Sequence, residues 1–190
     1  MKSINHQPLI AVPFATVLLV APFTVFASEE DTQNVFIEVR EIAELSIFDP
    51  GGPVLIIGEN STAAGDTPSL TGNNLGMSRL HYTSVVPDGR TRSIMVALQD
   101  DSELQQGMNL QLQIGGTSGT GATGTSQMTN ATNLSMADQV AISGIGTAAT
   151  GTGGFDGAQL LYSMDYDFEH LRATEDSIAV TVVYTIVADN

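Results

Sequence analysis

From residue 34 onward, hydrophobic positions recur at every second residue along most of the chain. In "NVFIEVREIAELSIF" (34–48), Val35, Ile37, Val39, Ala43, Leu45 and Ile47 share one parity, while Glu38, Arg40, Glu44 and Ser46 share the other. Successive side chains of a strand point to opposite faces, so this pattern predicts one long half-buried strand, or two joined by a bulge near Glu41–Ile42. "PVLIIG" (53–58) is apolar on both parities and predicts a short buried strand. It follows the turn "DPGG" (49–52), where Pro50 restricts φ and the glycines accept positive φ. Residues 59–78, rich in Asn, Ser, Thr, Gly and Asp, predict a long surface loop.

"LHYTSVV" and "TRSIMVALQD" flank Pro87-Asp88-Gly89, which predicts a hairpin. His81 has the parity opposite to Leu80 and Tyr82, which predicts that it faces solvent. "MNLQLQIGG" places Met108, Leu110, Leu112 and Ile114 inward, and "AQLLYSMDYDF" does the same for Leu160, Tyr162, Met164, Tyr166 and Phe168. Two Gly/Thr stretches, 115–127 and 146–157, predict loops too small-chained to pack. In "SIAVTVVYTIVADN" (177–190), Ile178, Val180, Val182, Tyr184 and Ile186 form one apolar face. The opposite face is only half polar, so the expectation is a central core strand rather than an exposed edge. Eight or nine short strands without an amphipathic helix predict an all-β, antiparallel two-sheet β-sandwich of jelly-roll or immunoglobulin-like type.

The first 27 residues depart from this pattern. Lys2 and His6 precede the apolar run "PLIAVPFATVLLVAPFTVF", and "VFA" at 25–27 offers small residues to a signal peptidase. Residues 1–27 are therefore expected to be a signal peptide, and residues 28–190 a single domain of 190 − 27 = 163 residues. That domain contains no lysine, five arginines and 21 acids, a net charge of 5 − 21 = −16. Such a surface repels nucleic acid and anionic lipid. The expected location is secreted, periplasmic or cell-surface, with no nucleic-acid partner and no stable membrane insertion after cleavage. There is no cysteine, so cohesion rests on burial and backbone pairing.

Candidate chemistry is sparse. Gly119, Gly121 and Gly124 match G-x-G-x-x-G, but Thr, Ser and Gln follow where a dinucleotide site needs a helix. After the leader, two histidines, no cysteine and no G-x-S-x-G elbow leave neither a nucleophilic triad nor a transition-metal set, so no enzyme is expected. The most site-like stretch is "MDYDFE", where Asp165, Asp167 and Glu169 share one strand face at roughly 6.6 Å spacing. Three such carboxylates suit calcium, with Asp156 of "GTGGFDG" as a further ligand. The competing reading is a solvated outer face, which the missing EF-hand spacing favours, so no cofactor is expected apart from that calcium candidate. Glycan binding is the other alternative. It is weakened because there is no Trp and all four tyrosines lie on apolar parities.

With the strands in place, the leader, the alternating strand 34–48, the Gly/Thr loops and the ending "DSIAVTVVYTI" resemble exported bacterial surface-fibre subunits of the spore-coat-U-like and chaperone–usher pilin type. The chain departs from those pilins, which commonly hold a Cys pair. The resemblance implies a structural or adhesive subunit in which one strand is donated to a neighbour. The assembly strand is expected at the N-terminal side (Val35, Ile37, Val39, Leu45, Ile47), with self-association or other surface subunits as partners.

Overall fold

The computed structural model describes residues 33, 35–59, 63–73 and 75–189, so the expected signal peptide lies outside the described residues. It forms two compact units, Met1–Ile37 and Glu38–Asn190. Of the first, the described residues carry no regular secondary structure. The second is all-β and antiparallel. Its strands are β1 (Ile42–Phe48), β2 (Val54–Ile57), β3 (Leu70–Asn73), β4 (Arg79–Val85), β5 (Arg92–Leu98), β6 (Met108–Thr117), β7 (Thr120–Gly121), β8 (Thr125–Ser126), β9 (Thr132–Asn133), β10 (Gln139–Ile145), β11 (Ala148–Ala149), β12 (Ala158–Tyr166) and β13 (Val182–Ala188). Among the described residues, one 3-10 turn, Phe168–His170, interrupts the strands.

The largest sheet runs β7-β11-β4-β12-β6-β9, with β1 along the other edge of β4; a second runs β13-β5-β10-β8, and β2 pairs with β3. One core draws on both larger sheets. Leu80 and Tyr82 of β4, Leu110, Leu112 and Ile114 of β6, and Leu160 of β12 pack with Ile94, Val96 and Leu98 of β5 and Ala141, Ile142 and Ile145 of β10. Each fully buried aliphatic of this set contributes about 1.5–3 kcal/mol relative to exposure. The inward parity of β6 and β12 matches their alternation at Leu110, Leu112, Ile114 and Leu160, which are buried, with Asn109 and Asp165 exposed; Phe168, expected inward, lies instead in the 3-10 turn beyond β12 and is 53 % exposed.

The structure corrects several local expectations. The strands flanking Pro87–Gly89 do not form a hairpin, because β4 and β5 belong to different sheets. The turn itself is present, with Arg90 N–H donating to Pro87 O at 3.1 Å. Both edges of β4 are already taken, by β1 on one side and by β11 and β12 on the other, so the chain crosses to the second sheet. The predicted loop 59–78 contains β3, and the Gly/Thr stretches contain β7, β8 and β11. Ala148 and Ala149 lie between Ser84–Thr83 and Gly121–Thr120, which joins the two stretches. Gly121, at φ 80°, permits the approach; a Cβ there would sit 2.2 Å from Thr147 O.

His81 is buried instead of solvent-facing. The loop between β11 and β12 covers it, with Nε2 3.1 Å from Gly153 O, and the Phe48 ring stacks on it at 5.9 Å between centroids. The long N-terminal strand begins at Ile42, not at residue 34. Its ladder with β4 ends at Ile42↔Val85, where β4 runs into the Pro87 turn, so among the described residues 35–41 have no strand partner.

Candidate functional site

The carboxylates proposed for calcium do not converge. Asp165 stands exposed on β12 opposite Asn109. Asp167 caps the 3-10 turn, its Oδ1 accepting the Glu169 N–H at 3.1 Å and its Oδ2 lying 2.7 Å from His170 Nδ1. The hydrogen bond with His170, followed by that from the Glu169 amide, holds the Asp167 carboxyl below the ordinary carboxylate range. Asp156 lies in the β11–β12 loop, where Oδ2 accepts the Gly153 N–H at 2.8 Å. Among the described residues, no group of three His, Asp or Glu side chains is arranged to hold a metal ion. Each carboxylate of this set that is hydrogen-bonded serves the local backbone or its own turn.

The feature with the clearest chemical consequence is the pair of strands at one side of the core. The other side is closed: Ile114 N–H donates to Met128 O and Gln127 N–H to Ala141 O, both at 2.8 Å, so residues 125–133 bridge the two larger sheets. Among the described residues, only the two-residue strands β7, β8 and β9 border that side. On the open side β1 approaches β13 without hydrogen-bonding to it: among the described residues β1 pairs only with β4, and β13 only with β5. Both are seven residues long. The expectation of a central final strand is therefore corrected, because β13 ends the order of its sheet. Alternation identified the face that β13 turns to the core, but not how many strands flank it.

The backbone polarity of β13 follows from its register. Asp189 N–H donates to Thr91 O at 3.0 Å and Gln99 N–H to Thr181 O at 2.9 Å, so odd-numbered residues turn their polar groups toward β5. In an antiparallel ladder the alternate residues then point away. Val182, Tyr184, Ile186 and Ala188 thus present their N–H and C=O groups to the open edge. The strand "VVYTIVA" has no charge, proline, glycine or bulge, which are the usual means of blunting an edge.

The five residues assigned to the terminal core strand are divided by this geometry. Val182, Tyr184 and Ile186 lie within β13, and Ile178 and Val180 precede it without strand structure; all five are half-buried. Val180, Val182, Tyr184 and Ile186 pack against the core, and the Tyr184 hydroxyl lies 2.8 Å from that of Tyr162 on β12. Burial raises the ionisation of both phenols above the usual tyrosine range.

The residues assigned to the assembly strand divide as well. Leu45 packs against the core from β1, whereas Ile47 on the same strand is 44 % exposed. Among the described residues Val35, Ile37 and Val39 have no strand partner, and they are 74 %, 85 % and 78 % exposed, with Phe36 at 94 %. At the end of this segment Glu41 forms an ion pair with Arg92 at the start of β5, 2.9 Å apart. The sequence reading did not single out Phe155, which is 83 % exposed at the tip of the β11–β12 loop. The only signal for it was a large aromatic residue set among glycines. Among the described residues, no helix is long and apolar enough to cross a membrane. No protein-family model, curated protein or solved structure matches the chain.

Proposed function

We propose that the chain is an exported, non-enzymatic structural subunit whose copies assemble at the cell surface by β-strand pairing. In this reading the two larger sheets are the layers of a β-sandwich, and residues 35–41 of one copy add to β13 of the next. The observation that carries it is the coexistence of an unblunted seven-residue edge and an unpaired segment of matching length. Monomeric proteins manage such edges because an open row of N–H and C=O groups templates pairing with another chain. The donor segment has the pattern that the acceptor needs. Val35, Ile37 and Val39 would extend the half-buried row of Val182, Tyr184 and Ile186, while Glu38 and Arg40 keep the other face soluble.

The test is electron microscopy of the protein from residue 28 onward, beside the Ile37→Pro, Val39→Pro double variant. Proline removes the donor N–H groups, and both positions are exposed, so the fold and its melting temperature should not change. The expected result is filaments that survive dilution for the parent protein and none for the variant. Dilution-stable filaments from the proline variant would overturn strand addition.

A further inference from the structure

The chain contains two Asp-Gly dipeptides, Asp88–Gly89 and Asp156–Gly157. In such a pair the backbone nitrogen readily attacks the preceding side chain, because glycine adds no side chain to shield it and leaves the backbone free to rotate. The fold treats the two sites in opposite ways.

Asp88 and Gly89 are the central residues of the turn that carries the chain from β4 across to β5. One hydrogen bond closes this turn, from Arg90 N–H to Pro87 O at 3.1 Å, and Pro87, Asp88, Gly89 and Arg90 are all exposed. Gly89 has φ 72°, as the third residue of a type II turn requires, and a Cβ built there would meet no atom within 4 Å. Among the described residues, no group donates a hydrogen bond to the Asp88 carboxylate. Bracing stops one residue earlier, where Val86 N–H donates to Thr147 Oγ1 at 3.3 Å. Beyond that contact, an open hollow of about 420 Å³ is bordered by the turn and by Gly146 and Thr147. A turn with one hydrogen bond and no packing opens at little cost.

Asp156–Gly157 is enclosed. Asp156 Oδ2 accepts the Gly153 N–H at 2.8 Å, while Asp156 N–H donates to Gly153 O at 3.0 Å. The carboxyl is also pressed against Gly151, where a Cβ would lie 2.8 Å from its Cγ. Gly157 is buried; its C=O accepts the Ser118 N–H at 3.1 Å, and a Cβ on it would come within 2.4 Å of Leu80 O. Bringing Cγ onto the Gly157 nitrogen therefore means releasing the carboxyl from Gly153 and rotating a backbone held by Ser118 and β4.

We propose that Asp88–Gly89 is a site of spontaneous isoaspartate formation, and that the fold protects Asp156–Gly157 from the same reaction. The Gly89 nitrogen bonds to Cγ of the protonated Asp88 carboxyl; its proton and the carboxyl hydroxyl leave as water, closing a five-membered succinimide. Water then adds to one of the two ring carbonyls. Addition at Cγ restores aspartate. Addition at the α-carbonyl breaks that carbon's bond to the Gly89 nitrogen, so the chain thereafter runs through the β-carbon of residue 88. The water lost in the first step is regained in the second, and no oxidant or cofactor takes part. The product adds one backbone carbon to the β4–β5 crossover and leaves a free α-carboxylate there. This ageing reaction is independent of the strand pairing proposed above.

The test ages the Ile37→Pro, Val39→Pro protein at neutral pH for several weeks, so that strand addition shields neither site, beside the same protein held unfolded in guanidinium chloride. The tryptic peptide 80–90 contains no other aspartate, so its conversion reports residue 88 alone. Electron-transfer fragmentation of peptides spanning residues 154–160 reports the linkage at residue 156. In the unfolded chain both sites should convert. In the folded protein Asp88 should keep its unfolded rate within about threefold, while Asp156 falls at least about tenfold below its own. Folded protein in which Asp156 converts as fast as Asp88, or in which Asp88 stays intact while the unfolded chain converts, would overturn the proposal.

Discussion

Tyr184→Phe isolates one contact that ties the open-edge strand to the opposite sheet. Tyr184 sits on the core side of β13 and Tyr162 on β12, with their hydroxyls 2.8 Å apart and both rings half-buried. The substitution keeps the ring and removes only the oxygen. The lost hydrogen bond is worth about 1 kcal/mol net, and an orphaned Tyr162 hydroxyl adds up to about 1 kcal/mol where water cannot replace the partner. The expected loss is therefore about 1–2 kcal/mol. For a unit of this size that lowers the melting temperature by about 3–6 °C. Urea unfolding of the parent, both single variants and the Tyr162→Phe, Tyr184→Phe double variant completes a cycle. In the double variant neither hydroxyl is stranded, so the two losses should fall short of additivity by about 1 kcal/mol, with unchanged m-values. Additivity within about 0.3 kcal/mol would refute the contact, and with it the packing of β13 against β12.

Three further outcomes follow from the same geometry. Gly157→Ala forces a Cβ to within 2.4 Å of Leu80 O at φ 80°, so it should cost more than about 2 kcal/mol in urea unfolding; a loss under about 0.5 kcal/mol would contradict this close approach. Millimolar calcium should leave the melting temperature within about 1 °C, since a rise requires binding to the folded state and the acidic residues of 156–169 do not converge; a saturable rise of several degrees would show that they do. Burial raises the ionisation of Tyr82 to about 12 and that of Tyr162 and Tyr184 above the ordinary value. Folded-state values above the unfolded ones mean stability is retained below pH 10 and lost as pH rises past it. Tyrosinate absorbance at 295 nm should therefore lag and then rise together with loss of the β-sheet circular dichroism signal, whereas full ionisation near pH 10 with native dichroism would contradict the burial.

Much of the strand content was legible because period two is a local property. The inward faces of β6 and β12 could be read from Leu110, Leu112, Ile114 and Leu160, since each strand has one face on the core. What was not legible depends on partners distant in sequence. His81 has a solvent parity, yet it is covered by a loop some 70 residues away and by Phe48 from β1. The turn at Pro87–Arg90 looks like a hairpin turn, but occupied edges on β4 send β5 to the other sheet. Residues 35–41 alternate as well as Ile42–Phe48, and they differ only in where β4 ends. Carboxylate spacing on "MDYDFE" presumed a continuous strand, and the 3-10 turn capped by Asp167 breaks that line. The exposed Phe155 depends on Gly153 and Asp156 closing a turn around it, a contact that composition does not encode.

The alternating polarity of β13 provides the most direct test of assembly by strand pairing. Residue-resolved amide exchange should be measured on the monomer and on the assembled protein. In the monomer, the amides of Val183, Thr185 and Val187 face β5 and should exchange slowly, whereas those of Val182, Tyr184, Ile186 and Ala188 face the open edge and should exchange quickly. Pairing with residues 35–41 of another copy predicts that assembly slows Val182, Tyr184, Ile186 and Ala188 by at least about a hundredfold and erases the alternation. Assembled protein in which those four amides still exchange at the monomer rate would contradict the account.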